Sequence, residues 1–277
     1  MVRNKAIFVK NIIKRNPFLY KILKILYSCF ESPRNPLHWI HFIVNKQLGR
    51  PYFGSYLISK QTWPVRYPIM KKIINEELRN ADSTFRMLEI GAWAGMSTVL
   101  WASAFVENGK GMLVVVDSWG AARNSPEAMK AATKNNKIFK MFLHNIEASG
   151  VGNCIIPIRG SSDKVTELLK QETFNFIYID GDHSYLGFKK DLFNCIDIVK
   201  VNGIISGDDF ELCARDIDLE YAKKNSEKDW IVDPQSKEGF HPGVTIALNE
   251  VFGDKVGMKD GFWAVRKTID GWEGVNL

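Results

Sequence analysis

From residue 85 onward the chain alternates short, unbroken apolar runs with longer amphipathic stretches, and this alternation limits its folding more than any other feature. Residues 85–90, 112–116, 154–158, 174–179 and 203–206 have the length and continuous apolar character of strands covered on both faces. Helical stretches at 97–106, 125–148, 163–170 and 187–199 separate them. Strands of this kind, alternating with helices, build a doubly wound, mostly parallel α/β sheet. A preceding helix is predicted over 67–79, where Ile69, Met70, Ile73, Ile74 and Leu78 recur every three or four residues. Beyond the fifth run, His241-Pro242-Gly243 leads into a helix at 244–251. Two short strands at 255–258 and 262–266 then complete an antiparallel edge, for about seven strands in all.

The first third of the chain reads differently. The formal charge is +6 over 277 residues, but residues 1–50 hold ten Lys/Arg (Arg3, Lys5, Lys10, Lys14, Arg15, Lys21, Lys24, Arg34, Lys46, Arg50) against Glu31 alone. That leaves −3 for residues 51–277, so the basicity belongs to an extension and carries no argument for nucleic-acid binding. Pro33, Pro36, Pro51 and Pro64 break up residues 31–64. The expected organisation is therefore a basic helical extension and cap over 1–64 and an α/β domain over 65–277. The apolar stretch 17–30 is interrupted by Lys21 and Lys24, too short to span a bilayer and poor as a signal peptide. Phe18, Leu19, Ile22, Leu23, Ile25 and Leu26 can instead form the apolar side of a basic helix. Residues 1–30 are thus a candidate contact with the domain, with a second subunit in a homo-oligomer, or with an anionic membrane surface, the packed reading being preferred. Cys29, Cys154, Cys195 and Cys213 form no CxxC pair, consistent with reduced thiols in a cytoplasmic protein.

The strand ends carry the chemistry. The first run closes in Glu89-Ile90-Gly91-Ala92-Trp93-Ala94-Gly95-Met96-Ser97-Thr98. Glycines at 91 and 95 permit a sharp turn and close approach of a ligand to backbone, and Ser97 or Thr98 can cap the next helix. The spacing ExGxxxG is neither the GxGxxG of a dinucleotide site nor a phosphate loop, which weakens a nucleotide-dependent oxidoreductase as an alternative. The second run ends at Asp117-Ser118, where a carboxylate can accept from the hydroxyls of an adenosine ribose. Trp119 suits either an adenine face or the core.

Taken together, Glu89-x-Gly91-x-x-x-Gly95, Asp117, the run Phe176-Ile177-Tyr178-Ile179-Asp180-Gly181-Asp182-His183 and the run Asn202-Gly203-Ile204-Ile205-Ser206-Gly207-Asp208-Asp209 resemble class I S-adenosylmethionine-dependent methyltransferases, with a Rossmann-like fold, over roughly residues 65–270. Within that class the chain is similar to metal-dependent small-molecule O-methyltransferases of the catechol, caffeoyl-CoA and macrolide-sugar kinds. The resemblance implies cofactor contacts at Glu89, Gly91, Ala92, Gly95, Ser97, Asp117, Ser118, Ser162 and Asp180, with the turn at Gly160-Ser161-Ser162-Asp163 near the adenine. It also implies a divalent cation, Mg²⁺ or else Ca²⁺ or Mn²⁺, on Asp180, Asp208 and Asp209, an all-oxygen set suited to hard ions.

Catalytic assignments follow at His183 and Asp180. Histidine stands where the catechol-type enzymes place a lysine base, and its unperturbed pKa suits proton removal near neutrality. Asp182 could orient it or touch the cofactor, and His241 could line the acceptor's side or only begin a helix. The implied reaction is methylation of a hydroxyl on a small molecule, of sugar or natural-product type. A non-catalytic adenosine-ligand binder or membrane-attached scaffold is the reading from another class. The segments 30–65, 119–135 and 210–245 lie outside the motifs and are the expected source of acceptor choice.

Overall fold

In the computed structural model the described residues are 36–54, 63–81, 84–121 and 127–277. They include a seven-strand path in the order β3-β2-β1-β4-β5-β9-β10. Its parallel part comprises β1 (Arg86–Ile90), β2 (Met112–Asp117), β3 (Ile155–Arg159), β4 (Phe174–Ile179) and β5 (Val199–Phe210). β9 (Gly261–Thr268) runs antiparallel to β5, and β8 (Gly257–Lys259) and β10 (Gly271–Gly274) both hang antiparallel on β9. The expected mixed sheet is therefore present, with one hairpin strand more at its edge than the apolar pattern revealed. β10 was hidden because Gly271-Trp272-Glu273-Gly274 holds a single apolar residue.

Helices cover both faces. On one side α2 (Trp63–Asn80), α3 (Met96–Asn108) and α5 (Lys137–Ala148) bury a core including Ile74, Leu78, Trp101, Phe105, Met141 and Phe142 against β1 and β2. On the other, α7 (Tyr185–Ile198) and α9 (Pro242–Phe252) close over Leu88, Ile177, Ile205 and Val265. The predicted single helix at 125–148 is two pieces, α4 (Glu127–Thr133) and α5, because Asn135 and Asn136 turn left-handed (φ 57° and 59°). α6 (Ser162–Thr166) is only five residues long.

Of the extension, α1 (Pro36–Gln47) and the segment to residue 54 are described. They pack on the domain: Phe42 meets the His144 ring (centroids 5.7 Å apart) and Tyr52 joins the same core as α5. α2 begins at Trp63, so a boundary after residue 64 would fall within a helix. The expected helix at 17–30 lies outside the described residues. No helix among the described residues is long and apolar enough to cross a membrane.

Candidate active site

The carboxyl ends of β2, β1 and β4 lie side by side, because Ile90 pairs with Val116 on one flank and Ile179 on the other. Asp117 and Asp180 therefore sit one residue past the paired positions, on either side of Gly91. Gly91 has φ 84°, and a side chain there would run into the Asp180 carbonyl. The glycine is thus required for two strand ends to approach, whatever ligand lies above them. Gly95, at φ 87°, begins α3 directly under the Phe142 ring.

Asp117 organises the loop. Its Oδ2 accepts from the amides of Ala92 and Trp93, both at 2.9 Å, and its Oδ1 from the amide of Trp119 at 2.6 Å. A carboxylate has about four acceptor positions, so roughly one is left for a ribose hydroxyl. Ser118 is exposed, and its Oγ accepts from Gly120 N at 3.1 Å. Trp119 is 1% exposed, and its ring packs on Phe139 and Phe142 at 4.6 and 4.7 Å. That placement makes it a core residue. The turn before Ser162 is tied to the same place, since Gly160 N donates to Asp117 O at 3.0 Å.

Glu89 lies under the loop, fully buried. Burial pushes its pKa up to about 8, although the hydroxyls of Ser97 and Thr98 work against this. Thr98 Oγ1 donates to its Oε2 at 2.5 Å, while Oε1 has no partner.

A second cluster forms where the turn after β4 meets the ends of β5 and the start of α9. His183 Nδ1 donates to Asp229 Oδ1 at 2.8 Å. Its Nε2 lies 2.9 Å from Asp209 Oδ2 and 3.7 Å from Asp180 Oδ1. Burial alone would lower the imidazole's pKa, but Asp180, Asp209 and Asp229 outweigh it and raise the value well above 6.5. His241, 6% exposed at the start of α9, places Nδ1 3.2 Å from Glu211 and 3.6 Å from Asp209. Its ring lies 4.8 Å from that of His183. Gly243 makes this possible, since any side chain there would strike the backbone at His183–Tyr185.

One sequence expectation needs correction here. Asp182 does not orient His183. Its Oδ1 accepts from Ser184 N at 2.9 Å to shape the turn into α7, and Asp229 does the orienting. His241 is more than a helix start, being part of the cluster. Of the expected cation ligands, Asp180 and Asp209 share His183 Nε2, while Asp208 and Asp209 share Arg66 Nη1. β5 slips register against β9 between Gly207 and Phe210, and Asp209 is left-handed at φ 67°. Asp208 turns to the guanidinium of Arg66 and accepts from Asp209 N at 2.9 Å, whereas Asp209 turns to the histidines. Ligand atoms of His183, Asp209 and His241 do lie within 4.8 Å of one another. Two imidazoles suit a borderline ion better than Mg²⁺, and Glu211 already engages His241 Nδ1.

Arg66, Glu211 and Asp229 were not singled out from the sequence. Arg66 and Asp229 lie 142 and 20 residues from Asp208 and Asp209, respectively, and no spacing rule joins them. For Asp229 and Glu211 the one available signal was their place in the 210–245 segment.

A doubly wound sheet with acids at the ends of β2, β4 and β5 and a glycine turn after β1 has the architecture expected of a class I methyltransferase fold. Residues 88–210 match the family model described as a methyltransferase domain. Over that stretch the chain carries a methyltransferase domain. No curated protein matches the chain. Among solved structures it is similar to an O-methyltransferase from Bacillus cereus in complex with SAH (16% identity, TM-score 0.48), over 82% of this chain and 89% of that one. It is also similar to the O-methyltransferase TomG from Streptomyces achromogenes, involved in tomaymycin synthesis, in complex with SAM (13% identity, TM-score 0.47), over 80% of this chain and 86% of that one.

Proposed function

We propose that this enzyme methylates a hydroxyl oxygen of a small molecule, of sugar or natural-product type, with His183 as the base and Asp229 as its positioning partner. The observation that carries the reading is the adjacency of the two clusters. Asp117 and Asp180 flank Gly91, and His183 Nε2 lies 3.7 Å from Asp180. The cofactor's place would be the loop of Glu89, Gly91, Ala92, Gly95 and Ser97, with Asp117, Ser118, Ser162 and Asp180 around it. The unpartnered Glu89 Oε1 and the spare acceptor position on Asp117 fit a ligand that brings an ammonium and a ribose.

When bound, S-adenosylmethionine supplies a methyl group already activated by its sulfonium charge. The protein's task is then to position the acceptor and remove its proton. Asp229 fixes the ring of His183 through Nδ1, and Nε2, 2.9 Å from Asp209, is the nitrogen that would take that proton. The surrounding carboxylates of Asp180 and Asp209 stabilise the imidazolium that results. No step of this reading runs through a divalent ion, since Asp208, expected as a ligand, is committed to Arg66.

Calorimetry with S-adenosylhomocysteine is the first test. Micromolar uptake is expected, and no uptake would sink the reading. Replacing His183 with Asn should preserve that affinity while lowering methyl transfer to hydroxylated acceptors by about 10²–10⁴-fold.

A further inference from the structure

Arg66 occupies a slot built for it. It is 3% exposed, on the first turn of α2, far in sequence from every motif. Its Nη1 pairs with Asp208 Oδ1 and lies 3.8 Å from Asp209 Oδ1, and its Nη2 lies 3.8 Å from Glu211 Oε1. Nε donates to the Asp260 carbonyl at 2.8 Å. Gly261, at φ 83°, completes the slot, because a side chain there would overlap the guanidinium. The two aspartates it faces are themselves 5% and 8% exposed.

Buried carboxylates stay ionised only beside positive charge. Arg66 supplies that charge to both aspartates. A guanidinium can do this durably, since it stays charged at any ordinary pH and offers several fixed donors.

We infer that Arg66 is the resident cation of the Asp208–Asp209 corner and holds the position a divalent ion takes in an all-oxygen site. Asp208 is consequently not a metal ligand, and Mg²⁺ gains access to it only when Arg66 is removed. The inference rests on reading this corner as part of the acceptor site, but it concerns the ion alone. It can fail while S-adenosylhomocysteine still binds, and it can stand if none does.

The test is thermal unfolding with and without millimolar Mg²⁺, supported by calorimetric Mg²⁺ titration. The wild-type midpoint should not respond to Mg²⁺, and no heat should appear. Arg66→Met leaves Asp208 without its counter-charge and should unfold at lower temperature. Mg²⁺ should recover a good part of that loss, and Asp208→Asn in the Arg66→Met background should abolish the recovery. Arg66→Lys, which keeps a charge but not the fork, should stay unresponsive. A wild-type midpoint that rises with Mg²⁺ and ceases to rise in Asp208→Asn overturns the proposal. So does an Arg66→Met protein that Mg²⁺ neither binds nor stabilises. Should Arg66→Met fail to fold at all, the comparison of wild type with Asp208→Asn decides the matter alone.

Discussion

His183 is poised by its neighbours to hold a proton. Asp229 reaches Nδ1, Asp209 and Asp180 crowd Nε2, and together they outweigh the cost of burial. As the proposed base it must first lose that proton, so kcat/KM should rise with pH along a limb lying above 6.5. Asp229→Asn removes one of the carboxylates holding the proton. The limb should move to lower pH by about one unit, with S-adenosylhomocysteine affinity unchanged. A limb that stays put would reduce Asp229 to a surface contact. At this scale the motif residues were readable because each follows a strand by a fixed step: Asp117 after β2, Asp180 after β4, Asp208 and Asp209 near the end of β5. Their partners were not readable. Which partners two adjacent aspartates meet depends on distant residues such as Arg66, and an ordinary Asp-Asp pair carries no mark of them.

Elements bring these residues together, and one junction joins the described part of the extension to them. Asn145, buried on α5, accepts from Tyr52 N and donates to the carbonyls of Tyr52 and Ala94, all at 2.8 Å. One side chain thereby ties the segment after α1 to the loop that contains Gly91 and Gly95. Asn145→Ala leaves an amide and two carbonyls to find new partners. It should cost about 2–4 kcal/mol in urea denaturation, accompanied by faster proteolysis within residues 48–54. Cleavage at the wild-type rate would show that packing of Phe42 and Tyr52 holds the segment unaided. The strands were legible because both faces are covered, which leaves unbroken apolar runs. The helices were less so: Asn135 and Asn136 split the long stretch at 125–148 through backbone conformations that helical periodicity cannot register. The cap's contacts escaped for a further reason. His144 and Asn145 are polar, and only the fold buries them.

Across the whole molecule, the shifted groups give stability a predictable pH profile. Glu89, raised from 4.5 to about 8 by burial, is protonated in the fold and ionised in the unfolded chain over that interval. The native state then binds more protons, so stability falls as pH rises from 4.5 to about 8. Asp191, raised to about 6 by burial, acts in the same sense over a lower range. His183 continues the decline above 6.5. Asp209 and Asp229, both lowered, contribute stability that is complete above 3.8 and fades as pH falls below it. The ligand-free protein should therefore melt at its highest temperature near pH 5 and distinctly lower at pH 8. Glu89→Gln should remove the larger part of that slope, on the order of several kcal/mol. A flat profile, or one unchanged by this substitution, would contradict the assignment.

The carboxylate that grips His183 comes from the segment between β5 and α9, which carries a helix (Leu219–Lys224) and a strand pair (Ile231–Val232 with Gly239–Phe240) and is the segment expected to choose the acceptor, while the imidazole itself comes from the turn after β4. On the proposed reading, selectivity and basicity are coupled through this one segment. Grafting a foreign 210–245 region onto this scaffold would exchange more than the preferred alcohol: it would reset the acidity at which the enzyme works.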